Sequence, residues 1–165
     1  MVGVAASGTQ PEIPAGEETG SATSVARMAL AVFALVGVLI SLYLSLYKLG
    51  LIPEIACGGG SCSRVQNSPW AVLLGVPVPY LGVLGYGVLL AAALLGLQPG
   101  WQRDRRIAIV LLGGAVLGFA FSMYLTYLEA AVINAWCRWC IASAVVASLI
   151  LLCAIPEIRK VGQNR

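Results

Sequence analysis

The chain has 165 residues, of which 59% are hydrophobic and only 10% charged, so it cannot cover its own surface with polar groups. Such a chain is an integral membrane protein, and its length allows one bundle of about four spans without a second folded domain. The net charge of +3 comes from basic residues at the ends of apolar runs, which indicates orientation signals and not a nucleic-acid surface; the absence of histidine excludes a mixed Cys/His zinc site.

The N-terminal part of the chain is polar, and the first apolar run follows it. Residues 1–24 are rich in Gly, Ala, Ser, Thr, Pro and Glu, and we expect them to form a disordered tail. The first span is predicted over residues 25–47, where the charge at the entrance is Arg27. Residues 48–77 form a loop that is long enough to carry function and does not merely connect helices.

The loop and the rest of the chain divide into further apolar segments. Within the loop, residues 63–74 have the apolar spacing of a short helix along the membrane surface, which Pro69 would start or break. Three further spans are then predicted, over residues 78–97, 107–128 and 137–156. Residues 157–165 form a basic tail. The predicted fold is therefore an all-α, four-helix membrane bundle with a cysteine-bearing outer loop and a short surface helix.

The basic residues predict how the spans are oriented. Seven fall on the face that holds both termini: Arg27, Arg103, Arg105, Arg106, Arg159, Lys160 and Arg165. The opposite face holds three: Lys48, Arg64 and Arg138. Because cytoplasmic segments carry the excess of Lys and Arg, both termini are expected in the cytoplasm. The cysteine pairs then face the outside, where disulfides form and persist.

Four of the five cysteines fall in two close pairs. Cys57 and Cys62 are separated by three glycines and a serine, and such a short exposed ring is typical of a labile disulfide, although a static disulfide is an equally open interpretation. Cys137 and Cys140 have the Cys-x-x-Cys spacing of thiol-disulfide oxidoreductases. The first cysteine of such a pair is the more acidic, helped by a helix N-terminus and by the adjacent Arg138.

Two pairs on one outer face suggest electron transfer by disulfide exchange. The sequence has no recognisable flavin or haem motif, so a lipid-soluble quinone is the natural electron acceptor. Alternatives remain open: a heavy-metal-binding membrane protein that uses the four outer cysteines, or a scaffold with structural disulfides. We expect no metal at the redox site, because a bundle buried in lipid does not need zinc to fold.

The order of the motifs resembles a known family. A short-spaced cysteine pair, Ser68 six residues later, the Gly-Val-Pro-Val-Pro entry to the next span at residues 75–79 and a late Cys-x-x-Cys are similar to the bacterial homologues of vitamin K epoxide reductase. The resemblance covers residues 25–156. It implies a four-helix bundle around a quinone, either ubiquinone or menaquinone, in the bacterial plasma membrane. It also implies a thioredoxin-like partner that makes disulfides in exported proteins, and we expect a monomer.

The resemblance also implies roles for the four cysteines. Cys57 resembles the loop cysteine that takes electrons from the partner, and Cys62 the one that passes them to Cys137. Cys140 resembles the cysteine nearest the quinone. Another quinone-linked family, protein B of the disulfide-bond system, has its Cys-x-x-Cys in the first outer loop, so the order in this chain favours the vitamin K epoxide reductase family.

Three further residues are candidates for the quinone site. Ser68 matches the family's loop serine, with a helix N-cap as the equally open alternative. Trp139 lies between the two cysteines and is a candidate for the pocket wall. Ala144 stands where vertebrate enzymes place a substrate-binding tyrosine, which favours quinone reduction over epoxide reduction.

Two more expectations concern the outer surface and the partner. Glu129 and Asn134 are candidates for protonating the reduced quinone, with solvated helix ends as the equally open alternative. Many bacterial relatives continue into a fused thioredoxin-like domain. Because this chain stops after Arg165, we expect its partner to be a separate periplasmic or extracellular protein.

Overall fold

The computed structural model describes residues 15–57, 61–102 and 104–158, and the long elements in these ranges are helices. Three helices are long and apolar enough to cross a membrane, and a fourth apolar helix is shorter. Helices suit lipid because each backbone polar group is bonded within its own segment. The predicted fold class is therefore confirmed. The helices are α1 (Ala15–Lys48), α2 (Ser61–Gln66), α3 (Val78–Leu97), α4 (Arg105–Leu128) and α5 (Arg138–Ala154).

The helix ends lie close to the predicted ones except at the N-terminus. α3 covers the predicted span, and α4 begins slightly early because the Asp104 side chain accepts a 2.8 Å hydrogen bond from the Arg106 backbone nitrogen. α1 begins at Ala15, so residues 15–24 are helical and the prediction of disorder there was wrong. That segment contains alanines and glutamates, whose helix propensity a purely compositional argument underweights. Residues 1–14 lie outside the described residues.

The outer loop contains a shorter helix than predicted and a small hairpin. α2 ends at Gln66, so the prediction of one helix over residues 63–74 was wrong, since Pro69 cannot donate a helical hydrogen bond. A 3-10 turn and two antiparallel strands follow: Pro69–Ala71, β1 (Val72–Leu73) and β2 (Val76–Pro77). Leu74 and Gly75 connect the strands with φ angles of 51° and 83°, as a tight two-residue hairpin turn requires.

The bundle is organised around α1, which packs along α3 and α5, while α4 packs against α5 and α3. Many of the buried core residues are alanines, which allow the helices to approach closely. Gly37 marks the tightest approach, because a Cβ atom there would lie 2.5 Å from the ring of Tyr86. This glycine therefore leaves room for the Tyr86 side chain to point between the helices.

A buried ion pair closes the end of the bundle at which α5 ends. Arg27 donates from Nε and Nη2 to the Glu157 carboxylate, at 2.6 Å and 2.8 Å. Its Nη1 also donates to the carbonyl oxygens of Gly96 and Gln102, at 2.5 Å and 3.0 Å. Arg27 thus joins α1 to the end of α3, to the α3–α4 connection and to the segment after α5. The predicted basic tail lies largely outside the described residues, which end at residue 158.

Candidate functional site

Four of the five cysteines lie at the end of the bundle opposite the buried ion pair. Cys57, Cys62 and Cys137 are all buried in one small apolar cluster, and Cys140 packs against it. This cluster is separate from the main core between the helices. The fold therefore brings together two pairs that are 75 residues apart along the chain, counted from Cys62 to Cys137.

The first pair is a disulfide. Cys57 and Cys62 are bonded, with their Cα atoms 6.0 Å apart. The sequence predicts an exposed ring, but Cys57 is 7% exposed and Cys62 is fully buried, because Val65 and Ala135 pack against them. The expectation of exposure was therefore wrong for the two cysteines, while residues 58–60 of the ring lie outside the described residues. Of the two sulfur-bearing residues, Cys57 is the one closer to solvent.

The backbone next to Cys57 is held by two aromatic side chains. The Tyr43 hydroxyl at the end of α1 accepts a 3.0 Å hydrogen bond from the Ala56 nitrogen. The Trp139 indole on α5 donates a 3.2 Å hydrogen bond to the Ala56 carbonyl oxygen. The two rings also contact each other, with centroids 4.9 Å apart. Trp139 therefore fixes the position of the Cys57 segment.

The second pair begins α5 and consists of two free thiols. Cys137 lies just before the helix, where its Sγ accepts a 3.3 Å hydrogen bond from the Cys140 backbone nitrogen. Cys137 is fully buried beside the disulfide, whereas Cys140 in the first turn is half-buried. The helix start thus directs the two sulfurs toward different surroundings.

The surroundings of Cys137 lower the pKa of its thiol. The main cause is the hydrogen bond from the Cys140 side chain, and the Cys140 and Trp139 backbone groups act in the same direction, while burial and the charge of Glu129 oppose them. This is the direction that the sequence predicts for the first cysteine. The cause differs in one respect, because Arg138 is exposed and is not among the groups that lower the pKa. A lower pKa increases the thiolate fraction, which is the nucleophile in disulfide exchange.

A π-helical turn follows α4 and carries a buried carboxylate. In this turn, Glu129–Ile133, the Glu129 Oε2 accepts a 3.1 Å hydrogen bond from the Cys137 backbone nitrogen. The Glu129 carboxylate and the sulfurs of Cys137 and Cys140 lie within 4.8 Å of one another. Asn134 ends the turn in a left-handed conformation and is exposed. The solvated-end interpretation therefore fits Asn134 and is wrong for Glu129, which is 3% exposed.

A large apolar cavity extends from Cys140 into the bundle. Its volume is about 610 Å³, and residues of α1, α3, α4 and α5 line it. This is within the usual size range of ligand pockets. Leu117 and Val88 line the cavity and are also exposed on the outside of the bundle. Because the outside of an apolar bundle faces lipid, the cavity is open sideways toward the membrane.

Polar groups gather at the cysteine end of this cavity. Gln66 is buried, and its Nε2 donates a 3.6 Å hydrogen bond to the Cys140 sulfur. Its Oε1 is buried without a hydrogen-bond partner among the described residues, and its backbone oxygen accepts from the Lys48 ammonium. The Tyr86 hydroxyl lies 2.9 Å from the Ser143 hydroxyl. Sequence reasoning missed the importance of Gln66 and treats Tyr86 as packing; a glutamine within the apolar spacing of the loop helix is the one available signal.

The predicted quinone-binding residues do not all line the cavity. Cys140 does, as predicted. Ser68 lines a small adjoining cleft, which shares Cys140 and Glu129 with the large cavity. Its hydroxyl donates a 2.7 Å hydrogen bond back to the Val65 carbonyl and does not cap the following turn. Trp139 holds the loop, as described above, and Ala144 is buried against the other helices. The structure therefore does not support a place for Ser68, Trp139 or Ala144 on the wall of the large cavity.

The fold and the site define a helical membrane protein with a thiol site at one end of the bundle, in which a disulfide, a second cysteine pair and an apolar cavity adjoin. Residues 28–155 match the vitamin K epoxide reductase family, and the chain belongs to that family. The resemblance stated from the sequence is therefore confirmed.

A curated relative matches a smaller part of the chain. The thiol-disulfide oxidoreductase LTO1 of Arabidopsis thaliana is 31% identical over 107 residues, which are 62% of this chain and 28% of that protein. The chain thus spans well under a third of the length of this relative.

Proposed function

We propose that this protein is a membrane thiol:quinone oxidoreductase. It reoxidises a thioredoxin-like dithiol partner and passes two electrons to a membrane quinone. One observation carries the proposal: Cys140 borders the large lipid-facing cavity, while Cys137 is packed with the Cys57–Cys62 disulfide. Family membership and the similarity to a plant thiol-disulfide oxidoreductase support the same chemistry.

The positions of the four sulfurs support a relay of disulfide exchanges. A thiolate of the partner attacks Cys57, the more accessible sulfur, and the partner leaves as a disulfide while Cys57 and Cys62 become thiols. Cys62 then attacks Cys137 of an oxidised Cys137–Cys140 pair, and Cys57 resolves the mixed disulfide. The first pair is again a disulfide and the second is a dithiol, as in the described structure. The dithiol reduces a quinone and becomes a disulfide.

The cavity suits a quinone, the electron acceptor that we propose. Its apolar walls match the isoprenoid tail and the faces of the ring, and its lateral opening gives a lipid-soluble molecule a route from the bilayer. Cys140, Glu129 and the Tyr86–Ser143 hydroxyls lie at one end, where the ring oxygens need polar partners. Bound quinone would supply a two-electron acceptor, and the residues named would orient it and keep water away from the thiols.

The orientation in the membrane is part of the proposal. The exposed Arg105 and Arg106 lie at the end of the bundle opposite the cysteines, which supports a cytoplasmic location for the termini. The cysteine end would then face the periplasm or the exterior of a bacterial cell. There a separate soluble thioredoxin-like protein would act as the electron donor.

Purified protein in detergent, mixed with a reduced thioredoxin-like protein and either short-chain ubiquinone or menadione, tests the proposal. We expect quinone reduction to depend on the protein and to form one partner disulfide per quinone consumed. A rate no higher than that without the protein would contradict the proposal. If the pure protein also contained stoichiometric zinc or mercury, the metal-binding alternative would be favoured. That alternative requires the Cys57–Cys62 disulfide to be reduced.

A further inference from the structure

Glu129 is a buried carboxylate in direct contact with the cysteines of the second pair. Its carboxylate lies within 4.8 Å of the Cys140 sulfur, and its Oε2 accepts a hydrogen bond from the Cys137 backbone nitrogen. It also lines the large cavity, as does Cys140. The carboxylate and the Cys140 sulfur therefore lie side by side at the space in which a quinone would bind.

The burial of this carboxylate is costly. Among the described residues the recorded ion pair is Arg27 with Glu157 at the other end of the bundle, and none involves Glu129. A carboxylate taken out of water without a cation loses several kcal/mol of hydration, which one backbone hydrogen bond does not restore. The ionisable side chains beside Glu129 are those of Cys137 and Cys140, and Tyr86 lines the same cavity. Packing alone does not explain an acidic residue here, since an alanine or leucine would fill the site without this cost.

We propose that Glu129 is the catalytic acid–base of the quinone step, an inference that rests on the proposed function. Reduction of a quinone by two thiols moves two electrons and two protons: the sulfurs of Cys137 and Cys140 form a disulfide, and the ring oxygens receive two protons. The Glu129 carboxylate takes the proton of the Cys140 thiol, which leaves the thiolate that donates electrons. The carboxylic acid so formed then gives this proton to a quinone oxygen in the cavity. The Cys137 thiol loses its proton to solvent without Glu129, since the Cys140 backbone nitrogen stabilises its thiolate, and the second ring oxygen takes a proton from solvent.

Glu129→Gln tests this role because glutamine keeps the shape and an oxygen that accepts from the Cys137 nitrogen, but cannot carry a proton. With quinone as the acceptor and reduced thioredoxin-like protein in excess, we expect its rate to fall by about 100-fold or more, since acid–base catalysis usually contributes at least that factor. The exposed Glu54 in the outer loop supplies the matched control, and Glu54→Gln should reduce quinone at the wild-type rate.

A second measurement separates proton transfer from positioning. In a Cys140→Ser background the Cys137 thiolate can attack Cys62 and form a bridge without any quinone. Adding Glu129→Gln should leave the yield of this Cys62–Cys137 bridge within about twofold. A yield that falls along with the quinone rate would mean that Glu129 only positions the cysteines, which overturns the inference.

The outcomes distinguish this inference from the proposed function. If the wild type reduces no quinone, the proposed function fails; if the wild type is active and Glu129→Gln loses less than about tenfold, Glu129 is not the acid–base. If Glu129→Gln does not fold, Glu129→Asp and Glu129→Asn replace it, because their side chains are of equal length. We then expect the aspartate variant to reduce quinone at least about tenfold faster than the asparagine variant. Equal rates for that pair would overturn the inference.

Discussion

Cys137 and Cys140 lie one helical turn apart, yet they contact different parts of the molecule. Cys137 is fully buried against the disulfide, and hydrogen bonds to its sulfur lower its pKa. Cys140 borders the large cavity and receives a hydrogen bond from Gln66. The spacing in the sequence predicts a reactive pair, but the difference between its members comes from tertiary neighbours that have no sequence signature.

Cys140→Ser should stop quinone reduction. Cys137 could then no longer form a disulfide with Cys140, so its thiolate can exchange only with the Cys57–Cys62 disulfide, and the Cys62–Cys137 bridge should accumulate. Non-reducing gel electrophoresis after alkylation and proteolysis would detect the bridge, and quinone absorbance would give the rate.

Cys153 provides the control on the same helix, because it is a free thiol that does not line the large cavity. Cys153→Ser should retain the wild-type rate and form no bridge. An unchanged rate in Cys140→Ser would remove Cys140 from the relay.

The connection between α4 and α5 decides where the acidic group and the second cysteine pair meet. The π turn carries Glu129, and Asn134 then reverses the chain with a φ of 52° before Cys137 begins α5. The sequence predicts both helices but not the π turn, because its composition is that of an ordinary helix end. Asparagine tolerates the left-handed conformation, which β-branched residues adopt only at a considerable cost.

In the connection between α4 and α5, Asn134→Val should lower the free energy of unfolding by about 1–2 kcal/mol, because valine is strained at positive φ. Asn134→Gly should stay within about 0.5 kcal/mol of the wild type, since glycine adopts this conformation freely. Denaturant titration in detergent, followed by tryptophan fluorescence, measures both. Equal stability of the valine and glycine variants would contradict the left-handed conformation.

The whole bundle has polar contacts at its two ends and apolar packing between them. At one end, Arg27 and Glu157 connect three helical segments to the α3–α4 connection. At the other end, Tyr43 and Trp139 hold the loop segment beside Cys57. Both sets join residues that are far apart in the sequence, so they fix how α1 and α5 lie relative to each other.

Glu157→Leu should lower the free energy of unfolding by about 3–5 kcal/mol, because Arg27 would remain buried as an unpaired charge. The double variant Arg27→Met with Glu157→Leu should recover much of this loss, since neither charge is then buried. The midpoint of denaturant unfolding in detergent measures both variants.

Glu54→Leu provides the control for a carboxylate in water, and this exposed position should change stability by less than about 0.5 kcal/mol. If Glu157→Leu unfolds at the same denaturant concentration as Glu54→Leu, the ion pair does not stabilise the bundle.

The sequence by itself determined the membrane class, the α3 span and the family, because apolar runs, prolines and cysteine spacing are local signals. The tertiary structure decided which groups surround the cysteines. Glu129 and Gln66 are buried beside Cys140. Trp139, which was expected on the pocket wall, instead contacts the Cys57 segment. These contacts depend on how α1, α2, α4 and α5 pack, and no run of neighbouring residues encodes such a packing.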